Sequence, residues 1–225
     1  MQLPDYWLPR PADDPSPAVR AAFDAIWRGA REDGGSVLID DELPAPKWQF
    51  LSHLADVHGL ALHGSGDPSI AVFEPRQAND LREFGNRRAV YAAGDGIWAM
   101  FFAIADRERI GSVTNACVRL TDASGTSSAP YYLFSISRQA LPAHPWRTGT
   151  VYVLPGETFE LQPPISFGEY EARIPQLASL VPIRPLARIT VAPEDFPFLG
   201  QIRAHDDDRL AEYARALETG AAWPD

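Results

Sequence analysis

The run Gly96-Ile97-Trp98-Ala99-Met100-Phe101-Phe102-Ala103-Ile104-Ala105 holds no charged side chain. Read as a helix from Asp95 to about Arg107, it places Ile97, Phe101, Ile104 and Ala105 on a wide apolar face, with Trp98 and Phe102 beside it. Such a helix must be largely buried, so the rest of the chain has to cover it. Asp95 is its N-cap candidate. Just ahead lies the short apolar run Ala89 to Ala93, which carries Tyr91, and further upstream the run Gly59 to Ser65, which carries His63. Both runs are bounded by Gly, Asp, Asn and Pro and are too short for helices. Each reads as a buried strand that delivers one polar residue to a functional edge. The two strands are expected to be neighbours, with the His63 and Tyr91 side chains opening into one cleft.

The flanking sequence supplies the cover. Ser16-Pro17 opens a helix to about Glu32, with Val19, Ala22, Phe23, Ile26 and Trp27 on one face and Asp33-Gly34-Gly35 as its stop. The Pro- and Asp-rich first fifteen residues read as an extended surface segment. Val37-Leu38-Ile39 reads as a short strand, and a second helix follows Pro46 and stops at Gly59. Further strands are predicted over 112–120, 131–137, 149–154 and 186–191. A last helix over 206–218, behind the acidic cap Asp206-Asp207-Asp208, is expected to turn Leu210, Tyr213, Ala214 and Leu217 inward. Many strands broken by few helices give an α+β class with a split, mainly antiparallel sheet.

With 225 residues, 45% of them hydrophobic, the chain suits one substantial core better than two. Its 30 acidic and 20 basic residues give a formal charge of -10, which opposes binding to a polyanion, so no nucleic-acid partner is expected. The single cysteine, Cys117, sits in a strand-like run and reads as buried and inert. No apolar run approaches the ~18 residues of a membrane span and no export signal is legible, so the expectation is no membrane partner and a cytoplasmic location.

The order His63-Gly64-Ser65, then Tyr91 after 28 positions, then at once an apolar helix, resembles the ADP-ribosyltransferase superfamily. In that superfamily a first-strand His-Gly-(Ser/Thr), a second-strand Tyr and a late-strand Glu form a nicotinamide cleft for NAD. The resemblance covers roughly residues 55 to 190. It implies an N-terminal helical segment over 1–45, a core over 46–200 and a C-terminal helix packed on it over 201–225. It also implies that His63 hydrogen-bonds a ribose hydroxyl, that the Gly64 backbone holds the carboxamide and that Ser65 adds a hydroxyl contact. Tyr91 would stack on the nicotinamide ring, a contact worth about 0.5 to 2 kcal/mol. NAD would be the substrate, with no metal, and ADP-ribose would pass to an unknown acceptor or to water. The alternative is a catalytically silent module that binds NAD or ADP-ribose.

Between the two strands, Arg76 suits the NAD pyrophosphate as a planar guanidinium, or else pairs with Asp80 on the surface. Asn86 either enters the cleft or forms a turn with Gly85. At the position of the late-strand Glu the chain has Gln176, which can hold a ribose hydroxyl but brings no charge against a developing cation. Glu157 and Glu160 are alternative carboxylates, with Glu169 and Glu171 behind them. Other chemistries fit less well. His53, His58 and His63 recur every five residues instead of the i, i+4 spacing of helical zinc ligands, with no Cys or carboxylate joining them in the sequence. His63-Gly64-Ser65-Gly66 is not a nucleophile elbow, and neither common glycine-rich phosphate loop is present.

Overall fold

The computed structural model describes residues 3–32, 37–39, 42–78 and 83–224. The expected stop at Asp33-Gly34-Gly35 and the Asp80 partner of Arg76 lie outside these residues. Within them the chain runs β1 (Leu8–Pro9), α1 (Pro17–Glu32), β2 (Val37–Leu38), α2 (Lys47–His58), β3 (Ala61–Ser65), β4 (Arg76–Gln77), β5 (Arg88–Ala93), α3 (Gly96–Ile104) and α4 (Arg107–Ile110). It continues through β6 (Val113–Thr121), β7 (Tyr131–Ser137), β8 (Gly149–Leu154), β9 (Glu160–Leu161), β10 (Ile165–Phe167), β11 (Tyr170–Arg173) and β12 (Gln176–Ser179). β13 (Ala187–Val191), β14 (Arg203–His205) and α5 (Leu210–Thr219) complete it. The architecture is α+β with two sheets. One has the order β1-β7-β6-β11-β10, with β14 added to β7. The other has the order β2-β13-β8-β3-β5-β12-β9, with β4 added to β5. Pairing is antiparallel except for β2 with β13 and β14 with β7.

The apolar helix organises the core as its composition requires. Ile97, Ala99, Met100, Phe101, Ala103 and Ile104 of α3 are fully buried. They pack with Leu51 and Leu54 of α2, Leu62, Val151 and Ile189 of one sheet, and Cys117, Phe134 and Ile136 of the other. Burying a large apolar side chain is worth about 1.5 to 3 kcal/mol, so α3 holds a large share of the stability. Gly64 permits the closest approach. A Cβ there would collide with the Ala99 carbonyl and the Ala103 nitrogen of α3, so the glycine lets β3 lie directly on the helix. α1 spans the residues its Ser16-Pro17 start predicts, and the Ser16 hydroxyl accepts from the Val19 amide at 3.3 Å. α2 ends at Gly59, which takes the left-handed φ of 64° that such a stop needs.

Four expectations change. The helix predicted to Arg107 ends at Ile104, because Ala105 turns extended and pairs with Trp146 while Asp106 caps a separate turn, α4. The first fifteen residues are not merely superficial: Tyr6 and Trp7 are buried, and the Tyr6 hydroxyl donates to the Ala216 carbonyl at 3.1 Å. Leu210 is exposed, and Ala216 joins Tyr213 on the buried side of α5. Residues 160–179, where no strand is predicted beyond the late-strand position of Gln176, form the short strands β9 to β12, including a hairpin whose turn uses Gly168 at φ 59°.

Asp95 fixes where α3 begins. Its Oδ1 accepts from the Trp98 amide at 2.9 Å, and its Oδ2 accepts from Arg10 Nη2 at 2.6 Å and from the Tyr132 hydroxyl at 2.8 Å. Burial and then the Asp95 charge push the Tyr132 hydroxyl far up, so it donates and does not ionise. Removing the carboxylate would leave the buried Tyr132 hydroxyl without its acceptor and the Arg10 guanidinium with only the half-exposed Asp56 against its charge. Asp95→Ala is therefore expected to cost roughly 3 to 5 kcal/mol, the scale for breaking one side of a buried pair. Tyr132→Phe should cost only about 1 kcal/mol, that of one net hydrogen bond. Urea unfolding of the two variants checks this, and equal losses would refute the central role of Asp95.

Candidate functional site

The sheet that carries β3, β5 and β12 opens where β3 leaves β5. Leu62 and Ala93 are the residue pair joining them. Beyond it β3 continues against β8 as far as Ser65, while β5 stays beside β12. The His63 imidazole lies at this opening, with Nδ1 2.7 Å from the Tyr91 carbonyl oxygen. A carbonyl only accepts, so Nδ1 carries the proton and Nε2 is left as an acceptor. Burial holds the His63 pKa below its ordinary 6.5; the Tyr91 carbonyl works against that shift and the Arg76 charge adds to it. The ring is therefore neutral at pH 7.

His63, Tyr91 and Gln176 sit on three successive strands of this sheet, β3, β5 and β12, with Gln176 opposite Ala93 and Ala178 opposite Tyr91. All three border one cavity of about 320 Å³. His63 and Tyr91 border this cavity together, but their side chains leave the sheet on opposite sides. The register pairs His63 with Tyr152, and its ring lies 4.6 Å from that of Phe73, among Ala61, Val90 and Ala92. Tyr91 alternates with those residues and shares the side of Ala93, toward α3. A one-residue difference in register parity decides the face, and spacing along the sequence does not reveal it. The two residues meet at the opening between their strands instead.

The Tyr91 hydroxyl is fully engaged: it donates to the Phe84 carbonyl at 2.9 Å and accepts from the Arg87 amide at 2.8 Å. Its ring is what remains for a ligand. Trp98 and Phe102 of α3 add two further aromatic walls. The Trp98 indole is held by donation from Nε1 to Asn115 Oδ1 at 2.6 Å.

Two arginines complete the lining, and sequence reading missed both. Arg107 opens α4 and Arg147 precedes β8, some forty positions apart. The break after α3 joins them: Ala105 pairs with Trp146, and the Arg147 amide donates to the Ile104 carbonyl at 2.9 Å. Burial and then the Arg147 charge lower the Arg107 pKa. Arg147 Nη1 lies 3.9 Å from Asp106, while its Nε is buried with no hydrogen-bond partner among the described residues. Among the described residues no Asp or Glu borders the cavity. Two repelling guanidiniums facing a carboxylate-free space make a site for an anion. No local motif marks these residues, so only the tertiary pairing of the two loops exposes the signal.

Of the remaining candidates, Gly64 and Ser65 border the cavity and the others lie elsewhere. The Ser65 hydroxyl accepts from the Asp67 amide at 3.1 Å. Arg76 on β4 and Asn86 in the turn before β5 are exposed and do not border the cavity, and the Asn86 carbonyl accepts from Gln77 Nε2 at 2.7 Å. Glu157 is exposed in a short turn, and Glu160 on β9 pairs with Arg87 at 2.8 Å. Glu169 and Glu171 lie on the hairpin of the other sheet, both exposed. None of these carboxylates reaches the cavity because short, solvated strands carry them on the rim of the molecule. No protein-family model, curated protein or solved structure matches the chain.

The neutral His63 links stability to pH. Its folded-state pKa lies below its unfolded value, so its contribution is full above about pH 6.5 and is lost as the pH falls through the folded value. His63→Gln keeps a donor for the Tyr91 carbonyl and removes the titration. Its urea midpoint should fall less between pH 7.5 and pH 5 than that of the wild type, and an unchanged fall would show that His63 titrates freely.

Proposed function

We propose that the cavity at the β3–β5 opening binds NAD or ADP-ribose, and that the protein acts as a binding module with at most slow cleavage of the nicotinamide bond. The observation that carries this reading is one cavity bordered by His63, Tyr91 and Gln176 from adjacent strands and by the two guanidiniums of Arg107 and Arg147. The first three are the residues that the resemblance to ADP-ribosyltransferases selects. The last two meet the chemical need that Arg76 was expected to meet, a pair of planar cations for a diphosphate. At about 320 Å³ the cavity is at the small end of ligand pockets, enough for one half of a dinucleotide with the remainder lying outward.

The preference for binding over fast transfer follows from charge. As nicotinamide leaves, positive charge grows on the ribose, and a carboxylate beside it stabilises the transition state; loss of one such contact costs about 10² to 10³ in rate. Gln176 supplies an amide in that place. Its oxygen can accept from a ribose hydroxyl and orient the sugar without lowering the barrier. His63 would accept from a second hydroxyl through Nε2, the Gly64 backbone would face the carboxamide, and the Tyr91 and Phe102 rings would flank the base.

Calorimetric titration with NAD and with ADP-ribose, followed by assay of released nicotinamide, tests the reading. Wild type should bind both and release nicotinamide slowly. Arg147→Ala should weaken both affinities about 30-fold, the equivalent of ~2 kcal/mol for a lost hydrogen bond between charged groups. Gln176→Glu should raise release about tenfold or more, whereas Glu157→Gln and Glu160→Gln should change nothing. Absence of binding by wild type would refute the proposal, and abolition of release by either Glu→Gln change would move the chemistry to the rim.

A further inference from the structure

Away from the cavity, α1 and the end of α2 bring together three polar side chains. His53 Nε2 lies 2.7 Å and His58 Nε2 2.8 Å from the same Asp24 oxygen, Oδ1. The three donor groups lie within 4.8 Å of one another. The His pair is five apart on one helix, a spacing that by itself does not share a face. Asp24 comes from a different helix and supplies the carboxylate that the local sequence lacks. The His53 side chain is only 5% exposed, packed against Phe23, whereas His58 and Asp24 are 30% and 40% exposed. The group is thus anchored on one side and open on the other, beside a recess lined by Trp27, Arg28 and Arg31.

We propose that Asp24, His53 and His58 bind a divalent transition-metal ion, zinc foremost, and so clamp α1 to the C-terminal turn of α2. Two imidazoles and one carboxylate are a donor set suited to such an ion, and three protein donors leave a fourth position for water or an anion. That position faces the recess, where Arg28 and Arg31 favour an anionic fourth ligand. A tetrahedral ion with bonds of about 2.0 to 2.2 Å sets its donors about 3.3 Å apart. The Nε2 to Oδ1 distances need to open by about 0.5 Å and the donor atoms of the two rings, within 4.8 Å of each other, to settle at that spacing, which the half-exposed Asp24 and His58 side chains allow. The competing account is a hydrogen-bonded trio, with both rings donating Nε2–H to one carboxylate oxygen. The two accounts differ in what they require of Asp24: the hydrogen bonds need only an oxygen acceptor, whereas the ion needs its negative charge. This inference is independent of the NAD reading.

The test is equilibrium dialysis of the metal-free full chain against ZnCl2, with cobalt(II) absorption as a second readout. Wild type should take up one ion per chain, give the visible bands of a tetrahedral cobalt site and unfold at higher temperature with zinc than without. His58→Gln and Asp24→Asn, both on the open side, should each weaken uptake by more than the roughly 10- to 100-fold that outer-shell changes cost. Asp24→Asn keeps the oxygen acceptor, so its metal-free melting temperature should stay close to that of wild type, and zinc should no longer raise it. No uptake by wild type at micromolar zinc, or uptake that persists in both open-side variants, overturns the proposal in favour of the hydrogen-bonded trio.

Discussion

A single buried carboxylate governs where the main elements meet. Asp95 is 1% exposed and is shared by the start of α3, the N-terminal segment through Arg10, and β7 of the second sheet through Tyr132. Arg10 also bridges to Asp56 of α2 at 2.6 Å, and Asp56 accepts from Arg119 of β6 at 3.0 Å. Sinking an ion pair into a core costs about as much desolvation energy as its attraction returns. Its contribution here lies in placement. The apolar surface of α3 would fit against a sheet in several positions along its axis, because hydrophobic contact is not directional. Only one start of the helix lets Asp95 satisfy an amide, a guanidinium and a phenol together. That start sets Trp98 and Phe102 in the cavity wall and Phe101 in the aromatic core with Phe134 and Phe196.

The legible parts of the fold were those written in consecutive residues. Ser16-Pro17 marked α1, Gly59 marked the end of α2, and the uncharged run after Asp95 marked a buried helix, because capping and burial act within a few positions. Cys117 was correctly read as a buried strand residue. What escaped was set by pairing at a distance. Arg107 and Arg147 share a cavity because Ala105 pairs with Trp146, a bridge with no pattern of its own. β9 to β12 are two to four residues long, too short for alternation to show. The facing of His63 and Tyr91 depends on which residue of β3 meets which residue of β5. Asp24 is legible only as one of the two acids of α1 until α2 folds against it.

Charge is distributed against the average. A chain with a formal charge of -10 places two guanidiniums in the recess walled by Tyr91, Trp98 and Phe102, and no described carboxylate borders it. Field lines from such a pair concentrate in a low-dielectric cleft. A net negative charge disfavours large polyanions, whereas a pair of guanidiniums in a recess suits a small anion. The same global charge that argues against nucleic acid is thus compatible with a diphosphate, because the size of the anion decides which part of the field it meets.

The opening between β3 and β5 is a ladder left unfinished. After Leu62 and Ala93 the next rungs would join His63 with Ala92 and Gly64 with Tyr91, and the backbone of both strands is extended and ready to form them. The imidazole of His63 occupies the place of a rung by giving its proton to the Tyr91 carbonyl. The recess therefore opens at the point where a sheet would otherwise close, and one side-chain hydrogen bond spans the strands where the backbone ladder stops.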